Sequence, residues 1–261
     1  MSETSAAVPR AAVTVLLVRR DPLAVLMVER GSVGAFPGAL VFPGGVVDAE
    51  DSDEGWLEFV DVPGRIGVPD GAGDGGEAGG LDVAERARRV AAARELWEET
   101  HLLLGHGSEA AERLDAAGVS AGDGLLAVLR ATGLRIDLGL LHPLSRWLTP
   151  EVQPKRFDTW FYAAEAPAAA GAVSEAVDGV EILGAQWLEP REVLAGLADG
   201  GPHVMLPTRA HLARLDAAGG DWVAWSHAFL ADPRTVTPAV RGEGAAARPT
   251  LDPADGYPPR D

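Results

Sequence analysis

Apolar residues fill positions 12–18 (AVTVLLV) and 23–29 (LAVLMVE), and the polar break Arg19-Arg20-Asp21-Pro22 lies between them. Two β-branched runs around such a break predict a strand pair joined by a tight turn. Beyond Arg30 the chain is punctuated by Phe36-Pro37-Gly38 and Phe42-Pro43-Gly44-Gly45, leaving room only for a short strand at 40–42. Glycine loops of this kind allow backbone to approach a ligand closely. Residues 52–81 turn acidic and Gly-rich, a composition that cannot bury enough apolar area to order itself, so part of this insertion is expected to be mobile.

At Asp82 the pattern becomes helical. Asp82 with Glu85 three residues later has the form of a capping box, and an Ala-, Arg-, Glu- and Leu-rich stretch follows as far as Leu104. A second insertion, 106–135, holds two short helical patterns at 108–117 and 121–131, and segments of this size often form lids. Strand patterns return at 140–148, 156–164 and 180–188, and helical ones at 191–197, 207–217 and 222–230. Strands interspersed with helices predict a mixed sheet covered by helices in one domain over 8–230. The Pro-, Gly- and Arg-rich residues 231–261 are expected to be poorly ordered.

Composition narrows the chemistry. Lys and Arg total 22 against 39 Asp and Glu, a formal charge of −17, so no nucleic acid partner is expected. Without cysteine there are no disulfides, thiolate metal sites or cysteine nucleophile. No apolar run is long enough to span a bilayer and no signal-peptide order opens the chain, which predicts a cytoplasmic protein with no membrane association. His101, His106 and His142 lack the spacing of a zinc site and read as structural or surface residues.

The candidate chemistry lies in Arg94-Glu95-Leu96-Trp97-Glu98-Glu99. Residues three and four apart share a helix face, so Glu95, Glu98 and Glu99 would crowd three carboxylates together. A solvated acidic face is one reading of this triplet, and an oxygen site for a hard cation such as Mg²⁺ or Mn²⁺ is the other.

Taken with Gly44-Gly45 and Asp48-Ala49-Glu50-Asp51 upstream, the segment resembles the Nudix box, G-x5-E-x7-R-E-U-x-E-E-x-G-U with U aliphatic. Three departures stand out. Asp51 takes the place of the first Glu, residues 52–93 lie where the box allows seven, and His101 replaces the final Gly. Residues 180–188, ending on Trp187-Leu188, resemble the late strand of Nudix domains. Arg30-Gly31-Ser32, Pro37-Gly38, Thr149-Pro150 and the stretch from Arg156 to Thr159 resemble the coenzyme A diphosphatase branch of peroxisomal type.

The resemblance implies a Nudix-type α/β/α sandwich with a mixed β-sheet and two insertions. It implies a diphosphatase using Mg²⁺ or Mn²⁺ on a small-molecule nucleoside-diphosphate derivative such as coenzyme A. Glu95, Glu98 and Glu99 would hold metal with the backbone carbonyl of Gly44 or Gly45, and Arg94 would brace the carboxylates. The general base is left between Glu98 and Glu181, with Glu175 or Asp178 as substitutes. Substrate phosphates would meet Arg30, Gly44, Arg156 and Lys155, the one lysine of the chain. Phe36, Trp147 and Phe157 are candidates to stack on a base. Nudix domains frequently pair, which leaves a homodimer open. A Nudix-like ligand-binding or regulatory module with weak catalysis is the alternative function.

Overall fold

The two leading apolar runs form β1 (Arg10–Arg20) and β2 (Leu23–Arg30), antiparallel, with Val18 opposite Val25 and Arg20 opposite Leu23. The computed structural model describes residues 7–32, 37–62, 81–120, 122–167, 181–197, 200–242 and 248–258. β1 buries both faces, which explains its continuous apolar run. Val13, Val15 and Leu17 enter one core, and Leu16 and Val18 enter another on the opposite side.

The main sheet adds β3 (Leu40–Val41), and further along the chain β6 (His142–Leu148), β7 (Phe157–Glu165), β8 (Ile182–Leu188) and β9 (Thr235–Val236). Its order is β3-β2-β1-β7-β6-β9, and β8 also pairs with β2. β1 with β7 and β6 with β9 run parallel while the other pairs are antiparallel, so the sheet is mixed as expected. β4 (Val60–Asp61) and β5 (Ile136–Asp137) form a separate parallel pair. Helix α1 (Val83–Thr100), with α2 (Ser108–Ala117) and α3 (Leu125–Thr132), covers one face; α4 (Pro190–Gly196), α5 (Leu206–Ala217) and α6 (Val223–Ala231) cover the other. The expected α/β/α sandwich is therefore present.

The register of β1 positions the glycine turn. Its C-terminal half pairs with β2, but its N-terminal half pairs with residues 43–47: Val15 N–H donates to the Pro43 carbonyl, Val13 N–H to the Gly45 carbonyl, and Val47 N–H to the Ala11 carbonyl. Gly44 must be glycine in this ladder. An added Cβ would lie 2.3 Å from the Val13 carbonyl oxygen and 2.8 Å from Thr14 Cα.

At the start of α1, Asp82 accepts from Glu85 N–H at 2.7 Å. The box is only half made, because the Glu85 carboxylate receives Arg88, Arg89 and the Tyr162 hydroxyl instead. Arg89, almost fully buried, also donates to the carbonyls of Leu138 and Leu141, tying α1 to the chain entering β6. The helix stops at Thr100, short of the expected Leu104. His101 caps it at φ 56°, ψ 21°, the left-handed conformation usually left to Gly, while its ring lies 5.4 Å from that of Trp97.

Three other expectations change. Residues 52–62 of the first insertion form 3-10 turns and β4, anchored by the buried Trp56; residues 63–80 lie outside the described residues. The helices of the second insertion pack against α1, where Trp97 Nε1 donates to the Asp123 carbonyl, so they thicken one layer instead of forming a lid. The tail is not featureless either. β9 adds to the sheet edge at β6, β10 (Ala239–Arg241) pairs with β11 (Arg248–Thr250), and Tyr257 is buried among Trp147, His211 and Trp225. One buried aromatic and a few ladder bonds hold a segment whose average composition reads as disordered. Among the described residues no helix is long and apolar enough to cross a membrane.

His211 sits at the centre of this aromatic cluster, fully buried and stacked 4.0 Å from the Phe161 ring. Its Nδ1 donates to the Pro207 carbonyl at 2.7 Å, so Nε2 accepts from the Ser145 hydroxyl at 2.8 Å. Burial pushes its pKa down to about 3. The unfolded chain binds this proton near pH 6.5, so stability is complete above that value and falls as the pH drops toward 3. Between pH 7 and pH 5 the loss attributable to His211 should be on the order of 2 kcal/mol. Urea midpoints of the chain and of His211→Phe at both pH values check this; a variant that keeps the full pH sensitivity refutes it.

Candidate active site

The site begins where α1 meets the glycine turn. Arg94 lies on the buried side of the helix and its guanidinium faces Asp51, 1% exposed, in a two-pronged pair: Nε to Oδ1 at 2.8 Å and Nη2 to Oδ2 at 2.9 Å. Paired N–H donors on a carboxylate give the strongest and most directional ion pair available to arginine. Asp51 Oδ2 also accepts from Asp48 N–H at 2.8 Å, and the 3-10 turn Ala49–Ser52 carries the short aspartate inward to meet the arginine. Arg94 donates further to the Val46 carbonyl at 3.0 Å, to Glu95 at 2.8 Å and to Glu98 at 2.9 Å. One side chain thus joins the turn after Gly45 to the carboxylate face of α1. Burial works against the guanidinium charge, but Asp51, Glu95 and Glu98 outweigh it and raise its pKa.

The carboxylates differ in environment. Burial, then the charge of Glu98, pushes Glu95 up to about 7 despite its pairing with Arg94. Glu99 is more deeply enclosed; burial and the nearby Glu95 raise it to about 8, although Gly44 N–H donates to its Oε2 at 2.9 Å and Arg30 lies 3.6 Å from Oε1. Glu98 is the open member, with its side chain 41% exposed. On the other side of Glu99, Arg30 also donates to Glu181 at 3.0 Å. A Cβ on Gly45 would lie 2.3 Å from Glu95 Oε1, so the bare peptide lets the carboxylate seat against the turn.

Two desolvated carboxylates with raised pKa values and an open third form an all-oxygen donor set, the chemistry that suits a hard divalent cation. The residues fit such an ion by chemistry. Among the described residues no three acidic or histidine groups already converge at ligand spacing, since Arg94 and Arg30 hold the carboxylates. The Gly45 carbonyl accepts from Val13 N–H, and the Gly44 N–H is taken by Glu99. The Gly45 carbonyl, expected as a metal ligand, and Gly44, expected to meet substrate, therefore help hold the site together as well.

These groups open into a cavity of about 1100 Å³. Arg30, Gly44, Gly45, Arg94, Glu95, Glu98, Glu99, Lys155 and Glu181 line it, together with the aromatic candidates Trp147 and Phe157. Arg156 does not. It is buried, and its guanidinium donates to the carbonyls of Thr149 and Ala7, so it braces the start of β7 instead of binding phosphate. Phe36, Glu175 and Asp178 lie outside the described residues. No described residue of 106–135 lines the cavity, consistent with the absence of a lid there. His101, His106 and His142 do not line it either: His106 bonds the Arg135 carbonyl and His142 packs on Trp222. Sequence reasoning missed Thr14, Met205 and Thr208 in the walls, and also Pro238, Val240 and Pro249 from the tail; none has a local motif that would mark it.

A family model described as the NUDT19 Nudix domain matches residues 5–215 of the chain. The acyl-coenzyme A diphosphatase NUDT19 of Gallus gallus is 29% identical over 209 residues, 65% of this chain and 55% of that protein. The chain thus spans about half the length of that curated relative. The crystal structure of a NUDIX hydrolase from Alicyclobacillus acidocaldarius superposes with a TM-score of 0.61 at 30% identity, covering 84% of this chain and 96% of that one.

The clamp geometry makes a direct prediction. Asp51→Asn leaves a half-buried arginine facing a neutral partner and should cost on the order of 3 kcal/mol in denaturant unfolding. Glu98→Gln, at an exposed carboxylate, should change stability by less than about 1 kcal/mol. Equal losses in the two variants would show that Arg94 is not divided between a structural and a solvent-facing partner.

Proposed function

The chain belongs to the NUDT19 Nudix domain family, and on that basis we propose that it is a divalent-metal hydrolase that cleaves the diphosphate bond of coenzyme A or an acyl-coenzyme A. The observation that carries the proposal is the pairing of Arg94 with Asp51, which unites Gly44-Gly45 with Glu95, Glu98 and Glu99 despite the insertion between them. The name of the Gallus gallus relative supports the choice of substrate, and a cavity of about 1100 Å³ is larger than a diphosphate alone requires. The hydrolase domain, expected over 8–230, takes in the tail as well, with β9 in its main sheet and Tyr257 in its core, and a cytoplasmic location accords with the cysteine-free composition.

Glu95, Glu98 and Glu99 would hold Mg²⁺ or Mn²⁺. A bound ion would neutralise phosphate charge and lower the pKa of a bound water. The protein's own groups do the rest. Arg94 keeps Glu95 and Glu98 on the cavity side of α1 while anchored to Asp51. Arg30, set between Glu99 and Glu181, and Lys155, exposed at the start of the β7 wall, supply positive charge to phosphate oxygens. Glu98, Glu181 and Asp48 are carboxylates open to solvent within the cavity, and we assign proton removal from the attacking water to Glu98, which shares its helix with the other ligand carboxylates.

Purified protein with Mg²⁺ or Mn²⁺ should release 4′-phosphopantetheine, or its acyl ester, together with adenosine 3′,5′-bisphosphate from coenzyme A or its acyl esters, and excess EDTA should abolish this. Glu98→Gln should lower kcat by at least about 100-fold with the fold intact. Activity that survives EDTA, or that is unchanged in Glu98→Gln, sinks the assignment. Mn²⁺ binding that depends on Glu98 but brings no hydrolysis from a wider panel of nucleotide sugars, dinucleotides and nucleoside triphosphates would point to a ligand-binding module instead.

A further inference from the structure

Strand pairings of the main sheet run along the cavity lining. Val46 bridges Ala12, Ala12 pairs with Thr159, Thr159 with Trp147, and Trp147 with Val236, so one continuous row runs from the glycine turn through β1, β7 and β6 to β9. At about 4.8 Å per strand, this row spans roughly 19 Å. Its first end carries the charged groups: Gly45 adjoins Val46, and Glu95 lies against Gly45. At its far end the lining residues that the tail contributes are uncharged, and Arg241 and Arg248 of the same strands do not line the cavity. There Trp147 is in the lining, Pro238 follows two residues after Val236, and Val240 of β10 and Pro249 of β11, paired to each other, complete the wall.

This wall is built from a segment beyond the residues 5–215 that the family model matches. It is held in place at both ends. β9 bonds to β6 on one side, and on the other Tyr257 is buried, with Trp147 Nε1 donating to its hydroxyl at 3.2 Å. A segment anchored in this way but left with a half-buried valine and an exposed proline facing a cavity presents apolar surface to whatever occupies it. Anionic ligands are poorly served there, because desolvating a charge against Trp, Pro and Val brings no compensating partner.

We propose that the β10–β11 hairpin is a specificity-determining wall that receives the uncharged apolar tail of the substrate, with Val240 and Pro249 as its contact residues. The inference rests on the reading of the carboxylate end as a diphosphate site. The tail would lie along the Trp147 end of the row while the diphosphate remains about four strands away. The hairpin then discriminates among substrates that share one diphosphate head but differ in the apolar group at the other end.

The test compares coenzyme A with decanoyl-coenzyme A on the full chain and on Val240→Asp, Val240→Ser and Pro249→Ser. Equilibrium binding by calorimetry with Ca²⁺ present needs no turnover, and kcat/KM with Mg²⁺ is measured in parallel. The full chain should bind the decanoyl ester at least about tenfold more tightly than coenzyme A, Val240→Asp should reduce that ratio at least about fivefold, and coenzyme A binding should stay within about twofold. The two serine variants should reduce the ratio in the same direction, which guards against misfolding in the aspartate variant. A full chain without tail preference overturns the proposal, as does a ratio unchanged in all three variants or an equal weakening of both ligands. If binding follows the expected pattern while neither compound is hydrolysed, the hairpin assignment stands and the diphosphatase reading falls.

Discussion

The ion pair between Arg94 and Asp51 is the contact on which the site depends. The two residues are separated by the 42 residues 52–93, yet their side chains meet through two hydrogen bonds with the aspartate fully buried. Loop closure becomes only slowly more costly as a loop lengthens, so an insertion of this size is tolerable provided its ends are fixed. Here both ends are fixed. The β1 ladder holds the glycine turn, the 3-10 turn brings Asp51 inward, and Asp82 caps the helix that carries Arg94.

That arrangement has an electrostatic consequence. Seating α1 against the sheet removes Glu95 and Glu99 from water, and their pKa values rise into the neutral range. Such carboxylates destabilise the fold unless countered, and the arginines counter them only in part. Arg94 is shared among Asp51, Glu95 and Glu98, and Arg30 between Glu99 and Glu181. The remaining imbalance is one that a divalent cation would relieve, so the strain of packing and the proposed metal binding would have one origin.

The opposite face of the sheet shows a different solution to burying polar groups. His211 and Ser145 satisfy each other within an aromatic cluster closed by Tyr257, a residue from the distant tail. The tail is therefore part of the same structure that shapes the cavity. Its anchoring through β6 and Trp147 places uncharged surface at the end of a pocket whose other end is crowded with carboxylates.

Much of this was legible from the residues in order. The apolar runs of β1 and β2, the Asp82 cap and the carboxylate face of α1 are local patterns, set largely by periodicities of two and of about four residues, whereas the link between the Gly-Gly turn and the Arg94 segment came from the resemblance to the Nudix box. What local pattern could not decide was which side chains meet across long separations. Arg156 and Lys155 are neighbours in sequence, but one bonds the backbone beneath β7 and the other faces the cavity. His101 takes a left-handed cap conformation that only the packing of its ring and the end of α1 impose. The tail reads as polar and broken, yet one tyrosine and a two-residue strand secure it, because burial depends on what surrounds a residue and not on the average of its neighbours. The sequence by itself determined the long strands and helices and the carboxylate face of α1; the tertiary structure decided the short strands of the tail, which charges are paired, which are left facing the cavity, and what closes its far end.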